Sequence, residues 1–392
     1  MDASQVWDLI VVGAGPAGSA AALQARLLRP GSAVLLLDKA VFPRDKACGD
    51  GIAPHAADEL ARLGAAHALD GYPPIHRLRI RAPGGGEVAG RPARPARVVP
   101  RAVFDARLVE AAVAGGAVLR RERVRTLEER RGLVVVNGEL AGRALVGADG
   151  ANSAVRRLLG VPLNPPGDLA IALRGYAPAG DGPLEQFIGW VPDGWPAYVW
   201  SFPTGTGLAN VGYGLLRSRF AGGRAELSAR LATLLPEARP DEASLRAHHL
   251  PFSTHRPRPG RGRVLLAGDA ASLVNPLSGE GIYYALASGR LAATAAVLAT
   301  ADPAAAYRQL LARSLGRHFR HSTVLARAIR SRRLASAAML ASGASPALFD
   351  ALVEMGLGQA RLTAGLVARL PPAYLRARAA GRRTASGPAG RG

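Results

Sequence analysis

Gly13-Ala14-Gly15-Pro16-Ala17-Gly18 follows directly on the apolar run Leu9-Ile10-Val11-Val12, and a second apolar run, Val34 to Leu37, ends in Asp38. Strand, glycine turn, helix, strand and acid in that order are what a dinucleotide needs. Gly13 permits the tight strand-to-helix turn, Gly15 admits a pyrophosphate against the backbone, and Gly18 lets the helix pack closely on the strand. The helix N-terminus offers free N–H groups and the positive end of its dipole to the phosphates. Asp38 is placed to accept from a ribose hydroxyl. Ala17 within the turn and Lys39 beside the acid complete the N-terminal set expected at the cofactor. This motif alone is compatible with FAD and with NAD(P).

A second stretch with chemical potential lies far downstream. Val264-Leu265-Leu266-Ala267 ends in Gly268-Asp269, and Asn275-Pro276-Leu277-Ser278-Gly279-Glu280-Gly281-Ile282 opens an apolar helical run. Asp269 offers a carboxylate to ribityl hydroxyls, and Gly268, Gly279, Gly281 and Ile282 offer backbone N–H groups to an electron-rich ring edge. Between the two stretches, the apolar run 143–147 leads to Asp149-Gly150. Spaced in this way, the three motifs resemble the flavoproteins built like para-hydroxybenzoate hydroxylase, in which all three clasp one FAD. That resemblance covers roughly residues 1–300.

Two further motifs narrow it. Tyr198-x-Trp200-x-Phe202-Pro203, then eight residues, then Gly212-x-Gly214, resembles a motif of the geranylgeranyl reductase family. Arg44-x-Lys46-x-Cys48-Gly49-Asp50-Gly51 is similar to that family's loop near the flavin, and Cys-Gly-Asp-Gly places the chain closest to the bacterial branch that includes menaquinone side-chain reductases. This resemblance spans about residues 6–330. It implies a tightly bound FAD, NADPH or NADH as transient reductant, and hydride transfer to isoprenoid carbon–carbon double bonds of a prenyl lipid, either a geranylgeranyl or a menaquinone side chain. It also implies that Cys48 lies beside the flavin, that Tyr198 and Trp200 lie near substrate, and that Arg101 touches the FAD diphosphate region.

An isolated alkene is a poor hydride acceptor, so such a site must supply a proton and a dry apolar tunnel together. Trp190, Trp195, Tyr198, Trp200 and Phe202 are suitable walls. Two other readings compete: an FAD-dependent monooxygenase or halogenase acting on an aromatic or polyketide, and a flavin-binding membrane-associated protein without catalysis.

The elements that must position these residues read as α/β. A Rossmann-type FAD-binding domain like that of para-hydroxybenzoate hydroxylase is expected over 1–75, 100–165 and 260–300. An antiparallel β-sheet substrate domain is expected over 76–99 and 166–259, a helical C-terminal region over 301–380, and a disordered tail over 381–392. Apolar periodicity predicts a strand at 8–12, helices at 16–29, near 54–64, at 101–114 and 280–299, and strands near 117–119, 123–127, 132–136 and 143–147.

Bulk composition excludes several classes. With 392 residues, 48% of them hydrophobic, two or three domains can bury a large core. Cys48 is the single cysteine, which excludes an internal disulfide and fits a reducing compartment. No export signal or transmembrane run is read, so the expected location is cytoplasmic with peripheral membrane contact. The net charge of +21 comes from arginines scattered through the chain, since Lys39 and Lys46 are its only lysines. No nucleic-acid motif accompanies the charge. An anionic membrane surface is the expected partner for the seven arginines after Glu354, where no acid remains. His248, His249, His318 and His321 lack the carboxylate or third ligand a metal site requires, so none is expected.

Overall fold

The computed structural model describes residues 5–299 and 301–385. The runs Leu9–Val12, Val34–Asp38, Leu145–Gly147 and Val264–Leu266 are apolar on both faces, the pattern of strands covered on both sides. With Val118–Arg121 they form five parallel strands. The sheet order is Gly260–Arg261, Val264–Leu266, Leu145–Gly147, Leu9–Val12, Val34–Asp38, Val118–Arg121, and the first of these is antiparallel to its neighbour.

In chain order the helices are α1 Pro16–Leu28, α2 Pro54–Arg62, α3 Arg101–Ala114, α4 Ala154–Leu158, α5 Arg224–Leu234, α6 Ile282–Leu298, α7 Pro303–Ala328, α8 Arg332–Gly343, α9 Pro346–Leu357 and α10 Ala364–Ala385. Alanines and glycines line the contact between α1 and α6, so the two helices nearly touch backbone to backbone. A Cβ built on Gly289 of α6 would stand 2.0 Å from the Ala17 oxygen of α1.

A second sheet runs Arg246–Pro251, Leu169–Pro178, Leu208–Leu216, Ala197–Pro203, Glu185–Val191, Arg77–Arg81, Glu87–Gly90. All its pairings are antiparallel except that of Glu185–Val191 with Arg77–Arg81. Leu227 and Leu231 of α5 pack on one face, against Leu173, Tyr213 and Leu215. Near its far edge, Leu78, Ile80 and Val88 pack against Met339 of α8 and Phe349 of α9.

Several boundaries differ from the periodicity. No strand forms at 123–127, because Asn137 Oδ1 accepts from Arg125 N and Thr126 N and so removes those donors from a ladder. The next strand is Leu127–Arg130, paired with Leu133–Val136. Helix α6 begins at Ile282 and not 280: Gly281 precedes its first turn, and the Glu280 side chain accepts from Tyr283 N. Where a disordered tail is expected from 381, α10 continues to Ala385, and 386–392 lie outside the described residues. Among the described residues no helix is long and apolar enough to cross a membrane.

Gly289→Ala is expected to lower stability by about 1–3 kcal/mol through overpacking of α1 on α6. Gly31→Ala, where nothing lies within 4 Å, serves as the control. Thermal unfolding of the two variants reads the difference, and equal melting temperatures would remove the close-approach argument.

Candidate functional site

Gly13 adopts φ +98°, and a Cβ there would lie 2.4 Å from Ala148 O. A Cβ on Gly18 would lie 1.7 Å from Gly13 O. The turn is therefore closed to larger residues at both positions, and the α1 N-terminus it leads into has no side-chain cap. Asp38 steadies the turn, accepting from Ala14 N through Oδ2 and from Ala40 N through Oδ1, each at 2.8 Å. Asp149 acts in a similar way on the neighbouring strand end. Its carboxylate accepts from Ser153 Oγ and from Ala154 N and Val155 N, which ties it to α4.

Cations surround the turn. The Arg101 guanidinium is buried and holds Asp105 through two hydrogen bonds of 2.6 and 2.7 Å, and Arg44 reaches the same carboxylate at 3.0 Å. Both guanidiniums flank Gly15, where a Cβ would lie 3.5 Å from Arg44 and 3.8 Å from Arg101. Two positive charges against one carboxylate leave an excess suited to a diphosphate. Lys46 lies 3.6 Å from Asp269. His248 stays neutral beside them, with burial first and the Lys46 charge second pushing its pKa down to about 4.

From this turn a cavity of about 670 Å³ passes the Cys48–Gly51 loop and the aromatic strand Ala197–Pro203 to reach α7, α8, α9 and α10. Arg101 charge opposes the burial that pushes the Cys48 thiol pKa up. Strand pairing explains the spacing of the aromatic motif: Tyr198 lies opposite Gly214, Trp200 opposite Gly212 and Phe202 opposite Asn210. A Cβ on Gly212 would meet the Trp200 ring at 2.1 Å, so only glycine lets the indole lie across that strand. Tyr198, Trp200 and Phe202 form a row with ring centroids 5.7 and 6.4 Å apart. Gly49 rests on this row, since a Cβ there would lie 3.4 Å from Phe202 and 3.5 Å from Trp200. At the row's other end Tyr198 OH donates to Ser278 O at 3.2 Å. Gly279, at φ +75°, leaves room for that hydroxyl, which a Cβ would meet at 2.4 Å.

Gly13, Gly15, Ala17, Asp38, Lys39, Cys48, Arg101, Asp149, Tyr198, Trp200, Gly268, Asp269, Gly279, Gly281 and Ile282 all line this one cavity. Gly18 does not line it and acts through α1 packing. Trp190 lines the cavity, whereas Trp195 stands behind it at 5.3 Å and donates to the carbonyls of Ile329 and Arg330. His318 is a core residue that donates from Nδ1 to Ala360 O. Among the described residues no group of three or more His, Cys, Asp or Glu side chains could hold a metal ion.

Three features escape the sequence reading. Apolar side chains of the C-terminal helices, including Leu325, Met339, Leu352, Met355, Leu366 and Leu370, wall the far half of the cavity. The C-terminal end of α9 is strapped over the loop before α6 and the first turn of α6: Asn275 Nδ2 donates to Met355 O, Ser278 Oγ to Gly356 O and Tyr284 OH to Gly358 O. Two carboxyls, Asp50 and Glu280, also face the cavity, and burial pushes their pKa values up to about 6 and about 7. Both stand in motifs singled out from sequence, and their acid type in an apolar setting is the signal that marks them.

A family profile described as an FAD binding domain matches residues 6–174. A menaquinone reductase of Mycolicibacterium smegmatis is 37% identical over 324 residues, covering 73% of this chain and 75% of that protein. Digeranylgeranylglycerophospholipid reductase 1 of Methanopyrus kandleri is 34% identical over 316 residues, covering 74% and 80%. The crystal structure of a geranylgeranyl bacteriochlorophyll reductase-like protein from Thermoplasma acidophilum superposes with a TM-score of 0.74 at 20% identity, over 97% of this chain and 99% of that chain. A flavin-dependent brominase superposes at 0.66 with 19% identity, over 97% and 100%. These likenesses in structure show a shared fold.

A carboxyl whose folded pKa is raised holds a proton that the unfolded chain releases, so its contribution to stability is full below the ordinary value and is lost as pH rises through the folded value. For Asp50 that window runs from about pH 4 to about pH 6. Buried His248 pulls the opposite way in the same range. The test is therefore a difference: Asp50→Asn should gain melting temperature relative to the unsubstituted protein as pH rises from about 4 to about 6. A constant difference across that range would contradict the raised pKa.

Proposed function

The chain belongs to the geranylgeranyl reductase family of FAD-dependent oxidoreductases, and from that premise we propose that it reduces isoprenoid carbon–carbon double bonds of a prenyl lipid. The observation that carries this reading is the single cavity with a cationic glycine turn at one end and apolar helices at the other. The cationic end fits FAD: Gly13 and Gly18 are closed to any Cβ, the α1 N-terminus is uncapped, and Arg44 and Arg101 flank Gly15. Bound there, the flavin supplies a hydride equivalent in a setting that excludes water. A menaquinone tail is the substrate best supported by the relatives, and a geranylgeranyl chain is the second.

Each part of the chain then has a task. Asp38, Asp269 and Arg101 hold the cofactor's polar portion, while Cys48 and the Trp200 row press a prenyl chain into register beside the ring. Met339, Leu352, Leu366 and Leu370 keep the remainder of that chain dry, which strengthens every electrostatic interaction at the reacting carbons. NADPH or NADH acts as transient donor, a role supported by the sequence's having only one Gly-x-Gly-x-x-Gly turn.

Anaerobic incubation of the reduced holoprotein with menaquinone, geranylgeranyl diphosphate and an unsaturated ether lipid, followed by mass spectrometry, tests the reading. Addition of two hydrogens per bond to at least one lipid is expected, and Cys48→Ala should retain flavin yet alter the rate or the number of bonds reduced. No hydrogenated product, together with oxygen-dependent hydroxylation or halogenation of an aromatic, would establish the competing reading.

A prenyl lipid must be drawn from a membrane, and α10 offers a surface for it. Val367 and Leu375 are 50% and 65% exposed there, with Arg361 and Arg369 exposed nearby. Such a face suits an anionic bilayer. Flotation with anionic vesicles but not with neutral ones is expected, and no flotation with either would remove the contact.

A further inference from the structure

Saturating an isolated alkene consumes a proton as well as a hydride, and a dry cavity must hold that proton on a side chain. Cys48, Asp50, Tyr198 and Glu280 are the titratable groups beside the aromatic row. Tyr198 gives its hydroxyl hydrogen to Ser278 O. Glu280 accepts from Tyr283 N at the start of α6, and burial still pushes its pKa up to about 7, so it is the competing holder of the proton.

Asp50 is arranged differently. Oδ2 is doubly bound, accepting from Tyr176 OH at 2.5 Å and Asn210 Nδ2 at 2.8 Å, while Oδ1 has no partner. The side chain is fully buried and lines the cavity. Its backbone adopts φ +60°, a left-handed conformation that is uncommon for a non-glycine residue and gathers at functional sites. A buried carboxyl with one oxygen saturated by donors and the other free carries its proton on the free oxygen, where it becomes a donor.

Resting on the prenyl reductase reading, we propose that Asp50 is the proton donor of the reduction, delivering the proton on Oδ1 to one alkene carbon. The π bond is replaced by two C–H bonds. One uses the hydride of the dihydroflavin-class two-electron donor, and the other uses the Asp50 proton, which leaves the carboxylate behind. Tyr176 OH and Asn210 Nδ2 stay bonded to that carboxylate, and the Arg174 and Arg101 charges favour it. Tyr176 is half-buried, with the Arg174 guanidinium 4.4 Å over its ring, and by donating to Oδ2 it leaves Oδ1 as the oxygen that takes up a new proton after each turnover. Burial outweighs these partners and pushes the Asp50 pKa up to about 6, so the protonated form grows as pH falls toward that value. Cys48, whose thiol stands near the same carboxyl, adds the remaining titratable group on this side.

The test uses FAD-loaded unsubstituted protein, Asp50→Asn, Tyr176→Phe and Glu280→Gln under anaerobic conditions. Asp50→Asn should retain FAD and its reduction by NAD(P)H, while reoxidation by the prenyl lipid slows by about 10²-fold or more, the usual scale of lost general acid catalysis. Tyr176→Phe removes a donor that favours the carboxylate, so the pH at which the Asp50 carboxyl loses its proton should rise. Infrared difference spectra between acid and alkaline pH provide a readout without substrate. A protonated-carboxyl band should vanish in Asp50→Asn and persist as one component in Glu280→Gln. Unslowed reoxidation in Asp50→Asn, or an unchanged band in that variant, overturns the assignment while leaving the reductase reading intact. Failure of the unsubstituted protein to hydrogenate any prenyl lipid overturns both.

Discussion

The Asn210 side-chain amide accepts from Trp200 Nε1 and donates to Cys48 O and Asp50 Oδ2, all at 2.8 Å. Its residue is fully buried, so losing any one of these bonds leaves a polar group without a partner in an apolar setting, at a cost of about 1–3 kcal/mol. Three features converge on this amide. The aromatic row takes its orientation from it, the Cys48–Gly51 loop is pinned by it, and the carboxyl facing the cavity receives from it one of the two bonds on Oδ2. The β-sheet and the glycine-turn domain meet at this point, and the placement of Asp50 and Trp200 against each other follows.

The glycine turn is legible in sequence because its geometry tolerates no substitute: residue identity at Gly13 and Gly18 is the backbone constraint itself. The parallel strands are legible for a related reason, since runs apolar on both faces have few other uses. The aromatic motif shows in sequence as spacing, and pairing supplies the cause. Gly212 and Gly214 stand opposite Trp200 and Tyr198, and the indole occupies the room a side chain would fill. What the sequence does not reveal is the company of Asp50, whose partners Tyr176 and Asn210 are 126 and 160 positions away. The same holds for Leu366 and Leu370. Their spacing marks one apolar helical face, but only the fold decides that it turns toward the cavity.

The C-terminal helices change how the site is divided. Sequence alone assigns the tunnel walls to the sheet, yet α7 to α10 supply the far half, and the end of α9 is fastened to the loop before α6 through Asn275 and Ser278 and to α6 through Tyr284. That loop also carries Glu280 and accepts the Tyr198 hydroxyl on Ser278 O. Movement of the apolar wall is therefore coupled to the polar end of the cavity through direct hydrogen bonds. The brominase likeness shows that the fold leaves the reaction open. In this chain the apolar lining and the buried Asp50 carboxyl favour reduction of a long hydrocarbon.

On the proposed reading, one cavity holds the cofactor's ring and the prenyl chain in contact. Titration of the oxidised holoprotein with a fully saturated isoprenoid lipid, which binds but offers no bond to reduce, tests it through the visible absorbance of the flavin. A saturable spectral shift that tracks lipid binding and is lost in Trp200→Ala is expected. Saturable lipid binding that leaves the flavin spectrum unchanged would contradict it.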